Sequence, residues 1–319
     1  MWRPEREVRG PEPVTERDIP ALNRLFADAF TDRYRRDGLV GVRVPFLNEV
    51  VWRYAIASAG EGAMLWRDEG DRTVAFNLAH RSGGEGWMGP LCVRPDRQLG
   101  GLGKTIVLAA VDWLRAQGVT TLGLETMPRT VDNIGFYSRL GFVPGHLTLT
   151  MTRDSARGDG ELELLGRLPE PERRDAAAAV DALVAALAPG FVFAKEVALT
   201  LKLGLGDVVL LREDGALRAF ALCHAAALAE GGGREEVRVL KLGAVDLPAL
   251  RAVLDRVAAW ADRMAVRRIA VRCQSAYTEA YRVLVESGWR VRWSDLRMTM
   301  AGFAEPTPSR GVLWSNWEI

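Results

Sequence analysis

Apolar residues at positions 106, 107, 110, 111 and 114 share one helical face, and the same spacing returns at 253, 254, 257, 258 and 261. Upstream of the first stripe, Ala63 to Arg67, Thr73 to His80 and Trp87 to Val93 read as successive antiparallel strands, parted by acidic and glycine turns. Gly89-Pro90 falls inside the third strand and predicts a bulge or a local end to pairing, since proline has no N–H to give a ladder. Leu22, Leu25, Phe26 and Ala29 mark an earlier helix, with Asp18 placed to cap it and Pro20 in its first turn. Positions 31–44 are polar and read mainly as a loop, before a second helix over 45–57. Downstream, a strand over 120–126, a short helix over 132–140 closed by Gly141, and a strand over 142–151 complete the pattern.

The pattern then repeats. Ala75-Phe-Asn-Leu-Ala-His80 returns as Ala219-Phe-Ala-Leu-Cys-His224. At a constant offset of 147 the two helical stripes superpose, and Trp113 maps to Trp260, Gly141 to Gly288, Leu149 to Leu296 and Met151 to Met298. Positions 154–160 have the composition of a linker. The chain of 319 residues therefore reads as two copies of one α/β (α+β) fold, 1–155 and 156–319, each a mixed, mostly antiparallel sheet flanked by helices.

Composition narrows the function more than it names it. A hydrophobic content of 48% with a net charge of +1 describes an ordinary globular protein and gives no electrostatic case for nucleic acid or an anionic membrane as partner. Cys92, Cys223 and Cys273 sit in apolar runs without metal-ligand spacing, as expected of small buried residues in a reducing compartment. The charged start and the lack of any apolar run of membrane length lead to the expectation of a cytoplasmic protein, and the cysteine spacing to that of no bound metal. The aromatic segment Trp314-Ser-Asn-Trp317-Glu-Ile is expected to dock on the body of the protein.

The chemistry concentrates between Leu91 and Lys104. An apolar strand ends at Arg94-Pro95, and Gly100, Gly101 and Gly103 precede the helical stripe. Strand, glycine turn and helix form a phosphate-binding arrangement, because a helix N-terminus presents unpaired N–H groups and about half a positive charge. The spacing excludes both the dinucleotide fingerprint and the Walker loop: Gly103-Lys104-Thr105 has the Walker ending, but Gln98 stands where the earlier glycine belongs.

What fits is Val-x-Pro-x-x-Gln-x-x-Gly-x-Gly, from Val93, Pro95, Gln98, Gly101 and Gly103, with Asn133-Ile-Gly-Phe-Tyr137-Ser-Arg-Leu-Gly141-Phe142 further on. These stretches resemble the acetyl-CoA pyrophosphate loop and the last motif of the GNAT superfamily of N-acyltransferases. The resemblance covers 63–151 and implies acetyl-CoA as cofactor. Backbone amides of Gln98, Leu99, Gly100, Gly101, Leu102, Gly103 and Lys104 would face its pyrophosphate, the edge of Leu91, Cys92 and Val93 its pantetheine, with Asn133 a further contact. It implies Tyr137 as donor to the departing thiolate and offers Glu125 as candidate base, with Glu85 a weaker one. The segment of Tyr34, Arg35 and Asp37 would border the acceptor. The implied reaction is direct transfer of an acetyl group to an amine of a small molecule or peptide, in a monomer or homodimer; a larger acyl group, or sensing of acyl-CoA without turnover, are alternatives. His80 recurs as His224, which favours a structural role for both. In the second copy Gln98, Gly101, Gly103 and Tyr137 become Val245, Pro248, Leu250 and Leu284, so that copy is expected to bind no pyrophosphate.

Overall fold

The computed structural model describes residues 8–158 and 160–317. The first half runs β1 (Val8–Pro13), α1 (Ile19–Arg36), α2 (Glu49–Ala59), β2 (Ala63–Asp68), β3 (Thr73–Ser82), β4 (Glu85–Val93), α3 (Leu102–Ala116), β5 (Thr121–Thr126), α4 (Val131–Arg139) and β6 (Phe142–Asp154). The second half runs in the same order: β7 (Glu163–Leu164), α5 (Glu170–Leu187), α6 (Ala194–Lys202), β8 (Gly206–Glu213), β9 (Ala216–His224), β10 (Glu236–Ala244), α7 (Leu247–Arg263), β11 (Arg268–Gln274), α8 (Thr278–Glu286) and β12 (Arg290–Met300). A last strand, β13 (Val312–Ser315), has no counterpart among the described residues of the first half.

Three local expectations change. Helix α1 continues to Arg36, so Tyr34 and Arg35 are helical; Asp32 pairs with Arg35 and Arg36, and Arg33 with Asp37, one turn apart, which sustains the helix through a polar stretch. Helix α2 starts four residues later than expected, where the Asn48 side chain accepts from the Val50 amide at 3.2 Å. The Asp18 carboxylate turns back to the amide and hydroxyl of Thr15, capping the single turn before α1 rather than α1 itself.

The larger difference lies in the sheet. Two repeats suggest two sheets, but the strands form one 13-stranded sheet in the order β1-β2-β3-β4-β5-β12-β6-β11-β10-β9-β8-β7, with β13 against β10. The last strand of each repeat is exchanged. β12 pairs with β5 of the first repeat, placing Leu296 opposite Thr126, and β6 pairs with β11 of the second, placing Ala270 opposite Thr152. Both pairings are antiparallel, and β6 and β12 also pair with each other at the centre of the sheet.

The helical stripes occupy equivalent places. On α3, Ile106, Val107, Ala110, Val111 and Leu114 are buried against Val74, Ala79, Leu122 and Leu124; on α7, Val253, Leu254, Val257, Ala258 and Ala261 are buried in the second core. Full burial of one aliphatic side chain stabilises by roughly 1.5–3 kcal/mol, so the periodicity marks the main packing faces. Gly141 and Gly288 close α4 and α8 with φ of 94° and 83°.

Candidate active site

The sheet opens where Gly89-Pro90 interrupts β4. β4 pairs with β5 in parallel only from Glu85 to Met88, opposite Thr121 to Leu124. Its register against β3 shifts between the partners of Asn77 and Ala79. From Leu91 to Val93 the strand pairs with β3 on one side and, among the described residues, with no strand on the other. His80 supports this break: its Nε2 donates to the Gly89 carbonyl at 3.0 Å, and Nδ1 accepts from the Ser58 hydroxyl at 3.3 Å. Burial and the nearby Lys195 hold the His80 imidazole neutral, with its pKa pushed down to about 3. His224 bonds the Thr200 hydroxyl of its own repeat's second helix at 2.8 Å. The recurring histidine thus ties β3 or β9 to the neighbouring helix in both halves, and in the first it also supports the break.

Beyond Val93 the chain forms a single helical turn over Pro95–Arg97 and reaches α3 through the glycines. Gly101, with φ of 85°, occupies the N-cap, where a side chain is disfavoured by the left-handed backbone. No side chain caps α3, so its first amides keep the orphan donors of a helix N-terminus. Gln98 is committed inside the loop: its Nε2 donates to the Val93 carbonyl at 3.1 Å, and its Oε1 accepts from Arg36 at 3.0 Å. Its side chain shapes the turn, and the anion-binding donors left are backbone ones. Asp68, buried at the end of β2, gathers Arg72, Arg94 and Arg97 and braces the turn from below. Burial opposes its charge, but the arginine and amide donors prevail and bring its pKa down to about 2.

A cavity of about 870 Å³ extends from this turn to the middle of the sheet. Leu91, Cys92, Val93, Gln98, Leu99, Gly103, Glu125, Asn133 and Tyr137 all line it. Gly100, Gly101, Leu102 and Lys104 complete the turn outside its wall, with Lys104 exposed. Tyr34, Arg35 and Asp37 do not line it; Phe26, Phe30, Arg33 and Arg36 of α1 do. Glu85 lies apart from it, fully buried and accepting from Trp87 Nε1 at 2.9 Å and Ser315 Oγ at 2.8 Å.

Tyr137 is 6% exposed, its ring between Phe136 and Phe142. Burial, with the Cys92 thiol nearby, pushes its phenol well above the usual range, so the hydroxyl keeps its proton. Asn133 reaches Thr126 Oγ1 at 3.5 Å and stands beside Tyr137's helix turn at the cavity wall.

At the inner end, two pairs of repeat-equivalent positions meet. The offset of 147 relates Glu125 to Arg272 and Thr148 to Asp295, and strand exchange brings all four together. Glu125 accepts from Arg272, from Arg297 at 3.1 Å and from the Thr148 hydroxyl at 2.5 Å. Arg272 also donates to Asp295 at 2.8 Å, and Arg297 to Glu305 at 2.8 Å. Burial raises the Glu125 pKa, but Arg272 and Arg297 outweigh it and leave the group below its ordinary value. Asp295 accepts from Arg272 and from Trp293 Nε1 at 3.1 Å, but burial and the facing Glu125 outweigh these and leave it above its ordinary value. Arg272, Asp295 and Arg297 are contributed by the second repeat, so the cavity is built by both halves. No local motif marks these three; the offset of 147, which relates Glu125 to Arg272, is the signal that could have pointed to one of them.

The second repeat closes the corresponding place in three ways. Its α7 begins two residues earlier than the constant offset implies, so the cap position matching Gly101 is Asp246, and Pro248 lies inside the first turn. The Asp246 carboxylate accepts from the Ala249 amide at 2.8 Å, supplying its own anion to the helix. β10 separates from β11 after Arg238, as β4 does from β5, but Lys241 to Ala244 then pair with β13.

Comparison with known proteins agrees with this geometry. Residues 21–142 match the family model described as Acetyltransferase (GNAT) family. No curated protein sequence matches the chain. Among solved structures, a provisionally described acetyltransferase of Pyrococcus horikoshii aligns with a TM-score of 0.69 at 13% identity, covering 100% of this chain and 96% of that one. A tandem GNAT protein of the clavulanic acid biosynthesis pathway aligns with a TM-score of 0.61 at 16% identity, covering 94% and 100%. Saccharomyces cerevisiae N-myristoyltransferase, solved with bound myristoyl-CoA, aligns with a TM-score of 0.64 at 10% identity, covering 97% and 81%. At these identities the structures establish the shared fold, and the tandem GNAT architecture expected from the repeat is borne out. Among the described residues, no helix is long and apolar enough to cross a membrane.

Proposed function

We propose, from the premise that residues 21–142 form a GNAT-family domain in a chain with the tandem GNAT fold, that this protein transfers an acetyl group from acetyl-CoA to a primary amine of a small molecule or peptide, with the first repeat alone holding the cofactor. The observation that carries this reading is the meeting, along one cavity, of a helix N-terminus without a side-chain cap, an open strand edge from Leu91 to Val93, and the protonated phenol of Tyr137. When bound, acetyl-CoA would supply the acetyl group as an activated thioester.

The residues divide the work by position. Amides of Gly101, Leu102 and Gly103 would hold the pyrophosphate, with Lys104 adding charge from outside. The Leu91 to Val93 edge would pair with pantetheine, and an amide there would polarise the acyl carbonyl. Tyr137 donates its proton to the departing sulfur. At the other end an ammonium group must lose a proton before it can attack. Glu125, engaged by Arg272, Arg297 and Thr148 and held below its ordinary value, fixes Arg272 and adds negative potential. Asp295 lies above its ordinary value where Glu125 lies below its own, and it faces the same cavity, so we assign it the proton.

Thiol release in the presence of acetyl-CoA and a panel of primary amines tests the reading. Release that depends on the amine is expected, and Asp295→Asn should lower kcat more than Glu125→Gln. The same assay with octanoyl-CoA and myristoyl-CoA decides the acyl length. Tight binding of acetyl-CoA without amine-dependent release would favour a sensor and contradict transfer.

A further inference from the structure

The segment Val312–Trp317 does two things that the sequence left open. Its first part fills a gap. In both repeats the fourth strand parts from the fifth midway, which exposes a strand edge. In the first repeat that edge borders the cavity. In the second, β13 lies along it, with Ser315, Trp314, Leu313 and Val312 opposite Lys241, Leu242, Gly243 and Ala244. The chain therefore satisfies its second open edge with its own backbone.

The pairing also fixes the two residues beyond β13. The Asn316 amide donates to the Leu240 carbonyl at 2.9 Å, its Oδ1 accepts from Gln274 at 2.8 Å, and its Nδ2 donates to the Arg272 carbonyl at 3.0 Å. Ser315 accepts from the buried Lys241 ammonium and donates to Glu85, each at 2.8 Å. Held at these points, the chain delivers Trp317 across to the first repeat. Its indole stacks on His80 with ring centroids 5.0 Å apart and planes 21° apart, and the Lys241 ammonium sits 3.6 Å from its centroid. Trp317 lines the same cavity as Gly89, Glu125, Asp295 and Tyr137. A large aromatic wall is thus fixed beside the break in β4 by contacts to both repeats, with little freedom to move aside.

We propose that Trp317 is a specificity-determining residue of the acceptor end: its indole limits the girth of the amine that can reach the acyl group, and the chain selects slender primary amines. This rests on the transferase reading above. The test compares thiol release from acetyl-CoA with methylamine and with tryptamine, in the full-length protein and in Trp317→Ala and Trp317→Phe. The ratio of kcat/KM for tryptamine over methylamine should rise at least about tenfold in Trp317→Ala, equivalent to ~1.4 kcal/mol, and fall between the two in Trp317→Phe. Acetyl-CoA affinity by calorimetry should change less than about threefold, since the indole packs on His80 and Lys241 and is no part of the glycine turn. An unchanged ratio in Trp317→Ala, with acetyl-CoA still bound, would overturn the proposal and leave Trp317 a packing residue. Loss of acetyl-CoA binding together with the ratio would also overturn it, because the indole would then hold the cofactor slot open. Wild-type protein that binds no acetyl-CoA would refute the transferase reading instead.

Discussion

At the scale of single residues, Tyr137 and Asp68 show how burial decides chemistry. A phenol in water is a poor acid near neutrality; enclosed by Phe136 and Phe142, it is held protonated still more firmly. That suits a donor that must keep its proton until a thiolate develops. Tyr137→Phe keeps the ring, so acetyl-CoA affinity should change little while kcat falls by ~10²–10⁴-fold. A fall of less than about threefold in the thiol-release assay would mean that the hydroxyl only packs. Asp68 is the opposite case. Its folded pKa lies near 2, below the ordinary 3.8, so its contribution to stability is complete above about pH 4 and is lost as pH falls toward 2. Acid unfolding followed by circular dichroism should therefore show a lower midpoint pH for the native protein than for Asp68→Asn, which lacks that dependence. Tyr137 was legible from its motif. Asp68 was not, because the three arginines it collects come from a turn and a loop that meet only after folding.

At the scale of elements, the features that depend on near neighbours were legible. The stripes of α3 and α7, the break at Gly89-Pro90 and the closing glycines rest on periodicity and on backbone chemistry within one turn or strand. Helix ends were less legible. α1 runs past its apolar stripe because salt bridges one turn apart support it, and α7 starts early because Asp246 caps it. The early start matters to function. It turns the comparison of Gly101 with Pro248 into one of an open N-terminus with a self-capped one, a stronger barrier to a phosphate than lost glycine freedom alone. Replacing Pro248 by glycine leaves that carboxylate, and β13, in place.

Across the whole molecule, strand exchange was invisible in the sequence, since nothing local distinguishes a strand that pairs within its repeat from one that crosses over. Its consequence is that neither repeat contains its own sheet. A fragment of residues 1–155 would lose β12 from the edge of β5 and β11 from the edge of β6, exposing strand edges and apolar surface. We expect that fragment to aggregate on expression, and the intact chain to unfold in one transition by calorimetry; a soluble fragment that binds acetyl-CoA would contradict this. The exchange also explains why the inner end of the cavity is lined by Arg272, Asp295 and Arg297 although the glycine turn lies in the other repeat. In the proposed division of work the second repeat holds no phosphate and contributes a share of the cavity wall. The most direct test of this division is titration calorimetry of the full chain with acetyl-CoA: one site per chain, abolished by Gly101→Pro and retained in Pro248→Gly, is the predicted result, whereas two sites, or a single site that survives Gly101→Pro, would contradict it.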